Sequence, residues 1–119
     1  MMPDGSSHPD TQITLMNARV IGAVSPDRDR WPLAGDQLFV DFDLSPDNLV
    51  PGTRLSVGDA TIVVTEIPHL GCGKFTERFG THALKFVNDE RGKSLNFRGI
   101  YCRVLHGGVI RTGDAIERA

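Results

Sequence analysis

Residues 53–67 read TRLSVGDATIVVTEI, two short runs of β-formers on either side of Gly58 and Asp59. A Gly-Asp pair between such runs is the chemistry of a two-residue hairpin turn. The stretch therefore predicts paired strands over 53–57 and 60–67. Upstream, residues 37–44 place Leu38, Val40, Phe42 and Leu44 in alternation with Phe39, Asp41 and Asp43. Period two again predicts a strand with one apolar face. Downstream, residues 97–105 (FRGIYCRVL) repeat the pattern, with Ile100, Cys102 and Val104 on one face and Tyr101 and Arg103 on the other. Gly107-Gly108 predicts a second tight turn, and Gly113-Asp114 a third.

The remaining segments are short. Residues 12–16 (QITLM) predict a strand, and Asn17 is placed as the N-cap of a helix that Pro26 stops. Residues 25–35 predict a loop anchored by Trp31. Ser45-Pro46 predicts a single helical turn. Gly80 ends one short helix, and Thr81 caps another whose face carries Ala83, Leu84 and Val87. Residues 88–93 predict a charged turn. Many short strands, frequent glycine turns and two or three short helices predict a mainly β chain, a small closed or nearly closed β-barrel. A doubly wound α/β fold needs longer helices than these.

Composition narrows the function classes. The 119 residues are 39% hydrophobic and 24% charged, with a net charge of -2. That balance gives no footprint for nucleic acid or an anionic membrane surface. No apolar run approaches the roughly 20 residues of a membrane span. Residues 1–11 predict a disordered tail without a signal pattern, ahead of one domain over 12–119. A cytoplasmic location is expected. Two cysteines, Cys72 and Cys102, are too few for a disulfide scaffold. Scattered histidines and the lack of a Cys-x-x-Cys pair argue against structural zinc.

The two cysteines differ. Cys102 shares the apolar face of its strand and is expected to be a buried hydrophobe. Cys72 lies in residues 68–80, PHLGCGKFTERFG, between Gly71 and Gly73. A helix starting near Gly73 would put the sulfur at its positive end, with Lys74, Arg78 and His69 adding positive charge. The flanking glycines would let a ligand approach the sulfur. These conditions favour a nucleophilic thiolate or a soft metal ligand. The competing reading is a buried helical face, because Cys72, Phe75 and Phe79 are spaced i, i+3, i+7. For Lys74 and Arg78 the alternatives are a solvated basic edge and an anion clamp. Asp41, Asp43 and Asp59 are candidate bases, or ordinary turn and strand-surface residues.

Three runs carry a family resemblance: AGDQLFVDFDLS at 34–45, NLVPGTRLSVGDATIVVTEIPHLGCGKFTERFG at 48–80, and FRGIYCRVLHGGVIRTGDAI at 97–116. Together they resemble the MOSC domain, the C-terminal domain of molybdenum cofactor sulfurase, over roughly Ile13 to Ile116. The resemblance implies a β-rich barrel similar to the small barrel domain of pyruvate kinase. It also implies binding of the molybdenum cofactor (molybdopterin), or carriage of sulfur to it. The family's characteristic cysteine falls on Cys72. In a sulfur carrier it would bear a persulfide, and in reductase-like relatives it would ligate molybdenum. Gly71 and Gly73 would give access, while His69, Lys74 and Arg78 would stabilise the anion or a pterin phosphate. The implied partners are a cysteine desulfurase-type sulfur donor or a molybdoenzyme. A non-catalytic interaction barrel is the alternative.

Two departures stand out. Longer relatives carry additional N-terminal strands, so this barrel closes with fewer or pairs an edge with a second chain, as in a homodimer. Their Arg-Asn pair at the start of the strand matching Leu38 to Phe42 is replaced by Gly35-Asp36-Gln37. An anion-binding arginine is lost or relocated.

Overall fold

The computed structural model describes residues 12–70 and 73–119, without the side chains of Pro68 and Lys74. The tail over 1–11 and the pair Gly71-Cys72 lie outside the described residues. The chain forms a nearly closed mixed barrel of six strands with a few short helices. The strands are β1 (Ile13–Asn17), β2 (Leu38–Val40), β3 (Arg54–Val57), β4 (Ala60–Pro68), β5 (Ile100–His106) and β6 (Ile116–Arg118), in the order β2-β1-β5-β4-β3-β6. Only β1 and β2 run parallel; the other pairings are antiparallel. The mainly β expectation holds.

The 58–59 hairpin forms as its turn chemistry dictates, with Val57 opposite Ala60. Gly58 has φ +55°, and a side chain there would run into the Val109 carbonyl at 2.8 Å. Two apolar layers hold the barrel. Leu15, Leu55, Ile62, Val64, Ile100 and Cys102 fill its interior. Met16, Val20, Ile21, Phe75, Ala83 and Val87 form a second layer between the sheet and the helices. β1 therefore buries both faces, Leu15 inward and Met16 outward.

Asn17 caps α1 (Ala18–Val24), its Oδ1 accepting from the backbone N–H of Arg19 at 2.8 Å and Val20 at 3.2 Å. Its Nδ2 donates to the Phe42 carbonyl at 2.8 Å. β2 stops at Val40, opposite Asn17, because β1 gives way to α1 there and leaves no strand to pair with, although the alternation runs on to Leu44. Residues read as loop or turn are short helices at two places. A 3-10 helix (Arg28–Ala34) starts at Asp27, whose carboxylate accepts from the Asp29 N–H at 3.0 Å. Asp89 likewise accepts from the Gly92 N–H at 2.7 Å and starts α4 (Glu90–Ser94). Between α2 (Gly73–Phe79) and α3 (Thr81–Asn88), the cap position of α3 is Gly80 and not Thr81, with no side-chain cap bond.

Gly107-Gly108 does not make a hairpin. β5 ends at His106, the chain crosses over, and β6 pairs with β3 instead of β5. Gly108 packs against the backbone of Asp59, so the glycine pair serves a close crossing and not a tight turn. The Gly113-Asp114 turn does form, with the Asp114 N–H donating to the Arg111 carbonyl at 3.0 Å.

Candidate functional site

Strand register brings three chain segments to one place. Leu15 on β1 is opposite both Leu38, the start of β2, and Ile100, the start of β5. Ile100 is also opposite Pro68, the end of β4, past a register irregularity after Val64. The residues just outside these strand ends are Asp36, Arg98 and His69.

They form a buried ionic cluster. Asp36 Oδ2 accepts from Arg98 Nη1 at 2.6 Å, and Oδ1 meets His69 Nε2 at 3.1 Å. The side chains are 1%, 7% and 11% exposed for Asp36, Arg98 and His69. Against a carboxylate, which only accepts, this bond puts a hydrogen on Nε2. Arg98 Nη2 donates to the Ala34 carbonyl at 2.8 Å, and the guanidinium lies 5.1 Å from the Phe75 ring centroid. Its Nε is buried with no hydrogen-bond partner among the described residues. The His69 ring packs on Tyr101 at 4.4 Å.

Gly99 makes this cluster possible. It has φ +125°, and a Cβ there would press into the Leu15 carbonyl and lie 3.1 Å from His69 Cδ2. Glycine alone lets β5 start this close to both.

In the chain, the cluster's His69 stands three residues before Cys72. His69 and Leu70 precede Gly71-Cys72, and α2 begins at Gly73. Phe75, 2% exposed, holds α2 against Arg98, and Phe79 packs on Phe75 at 5.0 Å. Beside the cluster is a cavity of about 240 Å³ lined by His69, Leu70, Lys93, Asn96 and Arg98, among others.

The other predicted residues are placed as follows. Cys72 and Gly71 fall outside the described residues, as does the side chain of Lys74. Arg78 is exposed; its Nη1 donates to the Leu33 carbonyl at 2.7 Å, and its own carbonyl accepts from Arg30 at 2.7 Å. These two bonds tie α2 to the 3-10 helix. Cys102 is fully buried, and burial pushes its thiol up to about 12. Asp41 pairs with Arg19 at 3.0 Å in solvent, and Asp43 accepts from the Ser45 N–H at 2.9 Å. Trp31 anchors its segment by donating from Nε1 to the Ser25 carbonyl at 2.9 Å. No group of three or more His, Cys, Asp or Glu suited to a metal occurs among the described residues. None of the helices described is long and apolar enough to cross a membrane.

Asp36 and Arg98 were missed as site residues by sequence reasoning. Asp36 stood out only as a departure, and Arg98 only as a residue beside a strand. The arginine at the start of β2 arrives from 62 residues further along the chain. The one local signal was the Arg-Gly step ahead of β5, where a glycine leaves room for a neighbour.

The model of the MOSC domain family matches residues 8–117. The chain belongs to the MOSC domain family. MOSC domains are associated with the molybdenum cofactor. A search of the curated proteins found no match. Among solved structures, the chain is similar to YiiM from Geobacillus stearothermophilus, with a TM-score of 0.65 and 21% identity over 93% of this chain and 55% of that one. It is also similar to a hypothetical protein of known structure, with a TM-score of 0.63 and 16% identity over 95% of this chain and 54% of that one. This MOSC domain thus spans about half the length of either neighbour. At such identities the likeness speaks for the barrel fold alone.

Proposed function

We propose that this MOSC domain handles sulfur, with Cys72 accepting a sulfur atom as a persulfide and passing it to a molybdopterin or another acceptor. The observation that supports the reading is the buried Asp36–His69–Arg98 cluster, whose His69 stands three residues before Cys72 in the chain. It gives a reactive thiol a rigid base and a charged surrounding. In the acceptance step the Cys72 thiolate attacks the outer sulfur of a desulfurase persulfide. A new S–S bond forms, the donor's S–S bond breaks, and the donor leaves as a thiolate with no net redox change. Delivery to an acceptor thiolate is the same exchange in reverse. His69 Nδ1 takes the thiol proton, and Gly71 and Gly73 leave the sulfur approachable.

The residues present suit the anionic end of the molybdenum cofactor. Arg98 has an unused buried N–H, and Lys93 stands at the same cavity. The cavity's 240 Å³ falls below the roughly 300–1,000 Å³ of sites that enclose a whole ligand. The fit is to a phosphate end, with Arg98 and Lys93 as its holders. Molybdenum, when bound, supplies a soft centre that a Cys72 thiolate can ligate.

The test is incubation with a cysteine desulfurase and cysteine, followed by intact mass. One added sulfur on the wild type and on Cys102→Ala, but none on Cys72→Ala, is expected. No addition to the wild type, or equal addition to Cys72→Ala, overturns the proposal. Molybdenum and pterin in protein purified after growth with molybdate would mark the ligating role instead.

A further inference from the structure

The barrel is open along one seam. β2 lies at one edge of the sheet and β6 at the other, and β2 pairs only with β1 among the described residues. A cavity of about 380 Å³ occupies the seam. Gln37, Leu38, Phe39 and Val40 line one side in unbroken succession, and the run 110–114 ahead of β6 lines the other. Successive side chains of a strand point to opposite faces. A cavity that touches four consecutive residues therefore runs along the strand's edge, where unpaired backbone N–H and C=O groups stand, and not over one face.

The slot carries two arginines against one carboxylate. Arg28 and Arg111 both line it, and neither pairs with a carboxylate among the described residues. Arg28 rests over the Trp31 ring, 5.1 Å from its centroid. The one acidic lining residue, Asp114, is engaged in its own turn, accepting from the Arg111 N–H at 2.7 Å. Val57 and Ile110 supply apolar wall.

We infer that the slot along the free edge of β2 binds an extended, acidic peptide segment of another protein, which adds to the sheet as one more strand. Backbone hydrogen bonds to β2 give the affinity, and carboxylates reaching Arg28 and Arg111 select the segment. An unpaired edge beside two arginines and a single carboxylate favours an acidic segment over a basic one. The site is separate from the Asp36–His69–Arg98 cluster and stands whether or not Cys72 carries sulfur.

Trp31 is the chain's only tryptophan and lines the slot, so its emission reports occupancy. The probe is a blocked heptapeptide alternating valine and glutamate, with two controls: lysine in place of glutamate, and proline at the centre. A saturable change with the acidic peptide is expected, with the lysine peptide at least about tenfold weaker. The proline peptide should not bind, because it cannot donate to the edge. In Arg28→Glu/Arg111→Glu, checked for folding by circular dichroism, the preference should reverse. Equal binding of acidic and basic peptides, tight binding of the proline peptide, or no saturable change overturns the inference. So does sedimentation showing a dimer that Arg111→Glu dissociates, since a second copy would then own the edge.

Discussion

The carboxylate of Asp36 and the guanidinium of Arg98 meet at 2.6 Å inside the protein, drawn from chain positions 62 residues apart. Both side chains are almost fully buried, so each depends on the other to remain charged there. Asp36→Ala leaves Arg98 without a counter-ion and is expected to cost about 3–5 kcal/mol. Pairing that change with Arg98→Met should recover much of the loss, because no lone charge then remains. Urea unfolding of the two single variants and the double variant measures this. A loss under about 1 kcal/mol for Asp36→Ala would show a cluster too wet to matter.

Cys102 supplies a pH prediction. Burial holds its thiol at about 12 against an ordinary 9.0, so the folded chain keeps a proton that the unfolded chain gives up. Its contribution is fully present below pH 9.0 and is lost as pH rises towards about 12. Stability of the wild type should therefore fall over that window more steeply than that of Cys102→Ala, as read by thermal unfolding. In Cys72→Ala at pH near 8, iodoacetamide should label Cys102 only after urea is added, which intact mass shows. In Cys102→Ala, the alkylation rate of Cys72 should show a thiol pKa below the free value.

Gly99 tests how tightly the site is packed. A side chain at φ +125° carries strain of about 1–3 kcal/mol, and at Gly99 it also meets Leu15 and His69. Gly113, at φ +93° with open space around it, provides the control. Gly99→Ala should cost clearly more than Gly113→Ala and should shift the His69 ring signals by NMR. Equal losses would mean the neighbours yield.

Asn17 does two jobs, and substitution separates them. Asn17→Ala loses the cap bonds and the bond to Phe42, for a cost of about 1–2 kcal/mol. Asn17→Asp keeps the cap but puts a carboxylate against the Phe42 carbonyl, where it cannot donate. Most of the loss should therefore persist in Asn17→Asp, measured by the same unfolding curves. Full recovery would assign the whole effect to the cap.

Much of the fold was legible because its signals are local. The 58–59 hairpin follows from a two-residue turn between β-formers. The cap at Asn17, the burial of Cys102 and the Phe75 face of α2 follow from side-chain spacing along one element. The misreadings also have local causes. Asp27 and Asp89 accept backbone bonds that turn apparent loops into single helical segments, and β2 ends early because its partner β1 turns into α1 after Asn17.

The candidate site divides in the same way. His69 was marked by sequence; Gly71 and Cys72, singled out as a glycine-flanked thiol after a strand, lie outside the described residues. The partner of His69 was not marked. Asp36 and Arg98 are ordinary polar residues until strand register places them together and removes water from around them. Which edges of the sheet stay free, and that β6 closes on β3, were likewise decided only in the tertiary structure. Sequence determines what a residue can offer, through its periodicity and its turn chemistry. Desolvation and pairing between distant segments decide what it does, because the strength of a charge or a hydrogen bond depends on surroundings that local sequence does not contain.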